Sequence, residues 1–215
     1  VRPGPPPPWP PLDRVTIDDL QAGLERRGLP PERPERVPRL ELPGRSWRPA
    51  AVLCALFDED GQAHTVLTRR SSRLKSHTGE VSFPGGRLNP GEQPLDAALR
   101  ESREEVGLDP GTVTIIGQLG TLSTVANPAP ILPFVARLPG RPPLHPNPAE
   151  VERAFSVPLV ELMQPGVYHE EIWAFPDDIE RSIYFFELVG DTVWGATARM
   201  LRELLDLLTV LGQSG

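Results

Sequence analysis

The chain has one lysine, Lys75, and one cysteine, Cys54. A lone cysteine excludes an internal disulfide and fits a reducing cytosol, so a cytoplasmic location is expected. Arginine supplies every other basic side chain, which reads as composition bias rather than function. No apolar run is long enough to cross a bilayer, and no basic stretch followed by an apolar one opens the chain. Neither a membrane span nor a signal peptide is expected. Basic residues are also outnumbered, 22 against 29 acidic, for a net charge of -7. That balance argues against a nucleic-acid partner and fits a site that gathers cations. The four histidines, His64, His77, His145 and His169, lack paired metal spacing, and there is no internal repeat. No glycine fingerprint sits in a β-α-β pattern, which excludes a dinucleotide-binding Rossmann domain.

What is present is a 215-residue chain, 39% hydrophobic and 24% charged, enough for one domain with extensions and a sizeable core. Its most informative stretch runs from Gly86 to Glu92 and on through Arg100 to Leu108. The pattern is a glycine loop, a helix over about Gln93 to Val106 and a glycine stop. Pro94 near the helix start loses nothing by lacking an N–H. Glu92 and Asp96 place negative charge at the positive end of the helix dipole. Gly107 suits the left-handed residue that ends a helix, with Leu108 packing back over the last turn. The helical repeat puts Leu95, Ala98, Leu99, Ser102 and Val106 on a buried side. Glu101, Glu104 and Glu105 share a neighbouring arc. Carboxylates that close repel one another unless a cation intervenes, and oxygen-only ligands suit Mg²⁺ or Mn²⁺. Arg100 lies one turn before Glu104 and can brace it. By themselves, three such glutamates also read as a solvated acidic face.

The full spacing of Gly86, Glu92, Arg100, Glu101, Glu104, Glu105, Gly107 and Leu108 resembles the Nudix box of the Nudix hydrolases. Ser102 takes a position that is usually apolar or small. The resemblance implies an α/β fold, an α/β/α sandwich around a mixed sheet with the box helix on one side and the C-terminal helix on the other. It also implies metal-dependent hydrolysis of a diphosphate linked to another group. Glu101, Glu104 and Glu105 are the implied Mg²⁺ or Mn²⁺ ligands, joined by the Gly86 carbonyl. The implied catalytic residues are Glu101, Glu104, Arg100 and Glu150, with the general base left open among the glutamates. The chain divides as 1–45, a proline-rich extension with a short helix, and 46–215, the hydrolase domain.

A second stretch, Arg69 to Gly86, is basic and rich in hydroxyl groups before it turns apolar at Phe83. Arg69, Arg70, Arg73 and Lys75 are placed to hold phosphates, or to balance an acidic protein as a solvated loop. Val66-Leu67-Thr68, Ser71, Lys75, Gly79 and Phe83-Pro84-Gly85-Gly86 look like the signature of the coenzyme A pyrophosphatase branch of the family. Three positions depart from that signature: Val66 replaces leucine, which is nearly neutral, Arg70 replaces threonine, and Lys75 replaces arginine, which keeps the charge but loses the planar fork. The implied substrates are coenzyme A and its derivatives. The implied substrate-binding residues are Arg69, Arg70, Lys75, Gly79, Phe83 and Gly85, with Phe83 beside the pantetheine arm. Glycine at 85 and 86 lets backbone approach phosphate closely. Rival readings are a Nudix enzyme for another diphosphate, such as ADP-ribose or a dinucleotide, and a non-catalytic nucleotide-binding regulator. A homodimer is compatible with the family.

Elsewhere, Val1 to Leu12 reads as a passive polyproline-like tail. Asp13 to Gly28 reads as a helix capped by Thr16, with Ile17, Leu20 and Leu24 on one face. Leu29 to Arg48 is a proline-broken connector. Strands are expected at Ala50 to Phe57 and Thr65 to Thr68, joined by an Asp60-Gly61 turn. Further strands are expected at Thr112 to Leu119, Ile131 to Leu138, Tyr168 to Phe175 and Ser182 to Leu188. Thr121 to Pro130 is a loop able to wall the site. Glu150 to Phe155 reads as a loop before a helix, with Glu150 or Glu152 supplying a further metal ligand or base, or as a solvated helix start. The last helix opens at Trp194 and buries Ala198, Leu201, Leu204, Leu205 and Leu208. Trp173 and Trp194 are expected to pack in the core.

Overall fold

Strand β4 (Ala50–Glu59) is apolar along nearly its whole length because both its faces are covered. Ala51, Leu53, Ala55 and Phe57 point into one hydrophobic cluster, and Val52, Cys54 and Leu56 into another. The alternation is the two-residue period of a pleated strand. Burial also holds the Cys54 thiol well above its ordinary pKa, so it packs as a small hydrophobe.

The computed structural model describes residues 1–9, 12–28, 41–42, 45–46, 48–73, 79–124, 128–175 and 179–209. In chain order the elements are β1 (Arg2–Pro3), α1 (Ile17–Arg26), β2 (Glu41–Leu42), β3 (Arg45–Ser46), β4, β5 (Gln62–Arg70), β6 (Val81–Ser82) and β7 (Gly85–Arg87). Then come α2 (Pro94–Val106), a 3-10 turn at Pro110–Thr112, β8 (Thr114–Gln118), β9 (Ile131–Arg137), β10 (Val151–Pro158) and α3 (Leu159–Leu162). The chain closes with β11 (Tyr168–Ala174), β12 (Glu180–Leu188), β13 (Asp191–Trp194) and α4 (Gly195–Asp206).

The main sheet runs β10-β5-β4-β9-β8, with β6 on β5 and β7 on β4. It is mixed, because β4 and β9 are parallel while the other pairs are antiparallel. Helix α2 covers one face through Leu95, Ala97, Ala98 and Val106. Helices α1 and α4 cover the other through Ile17, Leu20, Leu24, Ala198, Leu201, Leu204 and Leu205. This is the expected α/β sandwich. A second sheet, β1-β11-β12-β13, lies beside it.

Local signals placed several elements well. Thr16 and Asp19 form a reciprocal capping box at the start of α1. Asp60 and Gly61 both have positive φ, as the tight β4–β5 hairpin requires. Gly107 ends α2 in the left-handed conformation, with the Leu108 N–H returning to the Ser102 carbonyl. The hydroxyl of Ser102, buried on α2, donates to the Ala98 carbonyl at 2.7 Å. A polar residue at that position therefore costs the packing little.

Four readings need correction. The N-terminal segment is not a passive tail: Arg2–Pro3 pairs with β11, and Trp9 is only 3% exposed, packed against Tyr168 and Phe186. A large aromatic finds an apolar slot that proline spacing alone does not announce. Residues 151–158 form an edge strand on β5, not a loop or helix start, because Val151 and Val157 are drawn into the core by pairing. Phe83 is 1% exposed within the α4-side cluster, so its ring is taken up by packing and is not offered to a ligand. Trp194 is 45% exposed at the start of α4, and Trp173 is half-buried, its Nε1–H donating to Glu171. Neither tryptophan is a core residue.

Candidate metal centre

Helix α2 brings its acids to the sheet at β7. Glu101 and Glu105 are one turn apart and face the same way, whereas Glu104 turns toward solvent. Their side chains are 17% and 4% exposed, against 54% for Glu104. Carboxylate oxygens of Glu101, Glu105 and Glu150 all lie within 4.8 Å of one another. Three acids at that separation, from two distant parts of the chain, make an all-oxygen donor set suited to a hard divalent cation.

Glu150 reaches the cluster through a turn docked on the end of α2. The Asn147 N–H donates to the Glu105 carbonyl at 2.8 Å, and the Asn147 carbonyl accepts from Glu150 and Val151. The His145 N–H donates to Val106, and the Ser71 N–H donates to the Glu150 carbonyl. Asn147 was not singled out from sequence. Asn147-Pro148 is a turn signal, but nothing local says what the turn docks against.

Glu105 is the strained member. Burial pushes its carboxyl up to about 7, despite one hydrogen bond from the Gly85 N–H at 3.0 Å and the charge of Arg70. Glu101 and Glu150 add like-charge repulsion. A buried acid held this close to two others has an evident use for a cation, and so the residues fit a divalent ion.

The glycines of the loop make this approach possible. A Cβ on Gly86 would stand 2.5 Å from the Glu101 carboxyl carbon. At Gly85, with φ of 150°, a Cβ would meet the Ala51 carbonyl oxygen at 2.4 Å. Arg100 fixes the other side. Its Nε donates to Glu92 at 2.7 Å, and its Nη1 donates to Glu101 at 2.8 Å and to Glu104 at 3.0 Å. These bonds hold the Glu92 carboxyl below its usual pKa range and raise that of Arg100. Arg100 thus ties loop to helix and positions Glu101.

The other expected site residues divide. Arg70, at the end of β5, is 4.0 Å from Glu105. Arg69 instead bonds the buried Asp191 at 2.8 Å and lies 3.6 Å from the half-exposed Glu152. Arg153 shares Asp191, so this acid clamps β5 and β10 to β13. Asp191 was missed from sequence, where Gly190-Asp191 reads as a turn. Glu152 is outside the three-carboxylate group. Gly79, with φ of 72°, turns the chain between β5 and β6 beside Arg69. Lys75 and His77 lie outside the described residues.

A glycine-backed trio of carboxylates on an α/β sandwich, with Glu105 buried and Glu101 and Glu150 half-buried, could hold a divalent cation of the kind that serves phosphoryl chemistry. The NUDIX domain family matches residues 47–181, and the chain belongs to that family. It is similar to NudL, a Nudix hydrolase of Photorhabdus laumondii, at 36% identity over 168 residues, covering 76% of this chain and 86% of that protein. The Yersinia pestis NudL is 32% identical over 164 residues, covering 76% and 81%. Among solved structures, the Ap4A hydrolase of C. elegans aligns at 22% identity with a TM-score of 0.45, covering 52% of this chain and 80% of that one. The protein is thus a Nudix hydrolase, of a family that acts on diphosphates with divalent cations. Among the described residues, no helix is long and apolar enough to cross a membrane.

Proposed function

We propose that this enzyme hydrolyses the diphosphate of coenzyme A and its derivatives to adenosine 3′,5′-bisphosphate and 4′-phosphopantetheine or its acylated form. The observation that carries this reading is the signature from Val66 to Gly86, which leads directly into the metal site. Its strand β5 ends at Arg70 beside Glu105, Gly85 donates its N–H to Glu105, and Gly86 lies against the Glu101 carboxyl.

Glu101, Glu105 and Glu150 would hold the ion or ions, of which Mg²⁺ and Mn²⁺ suit the donors. Bound divalent cations neutralise diphosphate oxygens and polarise phosphorus toward attack. The chain's own residues do the rest. Gly86 leaves room for the Glu101 carboxyl to approach the backbone, and Gly85 lets the loop pack against the Ala51 carbonyl of β4. Arg100 locks Glu101 in place through the Glu92 bridge. A carboxylate oxygen of Glu101 or Glu150 takes the proton of the attacking water as the new oxygen–phosphorus bond forms. The bond from phosphorus to the bridging oxygen breaks, and the leaving phosphate carries away the electron pair. Glu104, exposed and bonded to Arg100, supports this arrangement from outside.

Purified protein with Mg²⁺ or Mn²⁺ should turn over coenzyme A faster than dephospho-coenzyme A or ADP-ribose. Product identity by mass spectrometry then fixes the cleaved bond. Faster hydrolysis of ADP-ribose would move the enzyme to the other-diphosphate reading. A regulatory module would be expected to have lost box glutamates, and all three remain.

A further inference from the structure

Arg70 and Arg100 both approach the carboxylate cluster, but in different ways. Arg100 is saturated: three carboxylates and the Arg87 carbonyl accept from it at 2.7 to 3.3 Å. Arg70 is not. Its guanidinium is 4.0 Å from the Glu105 Oε1, beyond hydrogen-bond reach, and its Nε is buried with no partner. Its backbone is fixed on both sides, by pairing with Val151 and by the N–H it donates to Glu80. A rigid strand therefore presents a partly satisfied cation to the most buried acid of the metal site.

We infer that Arg70 is an exchangeable counter-ion, resting against Glu105 when the site holds no cation and moving onto a diphosphate oxygen when metal and substrate bind. A divalent ion and Arg70 compete for the same carboxylate. A diphosphate offers Arg70 paired oxygens in a geometry that its fork fits better than the loose contact with Glu105. Diphosphate binding thus removes the competitor, and metal and diphosphate bind cooperatively through this side chain. By linkage, each ligand strengthens the other by the same factor. This rests on the diphosphate-hydrolase reading but not on the choice of coenzyme A.

The test needs no turnover. Mn²⁺ binding to metal-free wild type, Arg70→Thr and Arg70→Lys is followed by loss of the free-ion paramagnetic resonance signal. Methylenediphosphonate, whose bridge resists hydrolysis, is then titrated at saturating Mn²⁺. Arg70→Thr should bind Mn²⁺ alone about fivefold tighter and the diphosphonate about tenfold weaker, opposite signs from one substitution. Arg70→Lys should hold Mn²⁺ affinity near wild type and weaken the diphosphonate less. It also keeps the test open if the threonine variant does not fold. Mn²⁺ affinity that is unchanged or lower in Arg70→Thr, or lysine and threonine variants that behave alike, would overturn the exchange. A failure with coenzyme A as substrate leaves these outcomes untouched, so the two readings fail separately.

Discussion

Glu105→Gln is expected to lower kcat/KM by about a thousandfold while making the metal-free protein more stable. The loss follows from removing a charged group from the trio proposed to hold cations against a polyanion. The gain follows from burial. The Glu105 carboxyl is pushed up to about 7 from an ordinary value of 4.5, chiefly because it is cut off from water. A group whose folded pKa is raised binds its proton more tightly in the folded state. The metal-free protein is therefore most stable below about pH 4.5 as far as this group is concerned. Stability falls as pH rises from there through 7 and then levels off. At pH 8 the ionised carboxylate costs on the order of 3 kcal/mol, and glutamine, which carries no charge, recovers about 2 of it. Thermal melts with a chelator at pH 5 and pH 8 check this. The variant should melt higher than wild type at pH 8, with the two converging at pH 5. Added Mn²⁺ should raise the wild-type melting temperature and leave that of the variant in place.

Gly86→Ala should cut turnover by about a hundredfold with little loss of fold. The new methyl would stand 2.5 Å from the Glu101 carboxyl carbon. What must yield is the end of a flexible side chain, so the clash is relieved by displacing Glu101 rather than by unfolding. Displacement by an ångström is enough to cost two orders of magnitude in a positioned active site. Gly85→Ala is the contrast. There the methyl meets the Ala51 backbone oxygen at 2.4 Å, which cannot step aside, and positive φ adds strain. That variant should lose stability and activity together. Circular dichroism melts beside steady-state kinetics separate the two cases. Equal loss of stability in both would contradict this division.

The box helix could be read from sequence because its signals are local. Pro94, the periodic apolar residues and Gly107 fix where it starts, faces and stops. Periodicity also gives a shared arc for Glu101, Glu104 and Glu105. It does not say which of the adjacent pair, Glu104 or Glu105, turns inward. That is decided by where the Gly85 N–H lies, a contact between residues twenty positions apart. Glu150 and Glu152 are indistinguishable from sequence for the same reason. Only pairing of β10 with β5 and the Asn147 turn choose between them. The tail shows the limit most clearly. Its prolines are visible in the sequence, yet the slot that takes Trp9 is built by Tyr168 and Phe186, more than 150 residues on. Phe83 fails in the opposite direction. Its place in a substrate-linked signature suggested a ligand contact, and the core claimed it instead. Arg69 likewise reads from sequence as a phosphate ligand, but Asp191, which arrives with β13, holds it.

We propose that Glu101, Glu105 and Glu150 make the cation seat. The decisive test is the Mn²⁺ affinity of the metal-free protein, measured across single glutamine substitutions at 101, 104, 105 and 150. Binding should weaken at least about tenfold for the substitutions at 101, 105 and 150, and should stay near wild type for Glu104→Gln. A Glu104→Gln protein that loses the ion while Glu150→Gln keeps it would contradict the assignment.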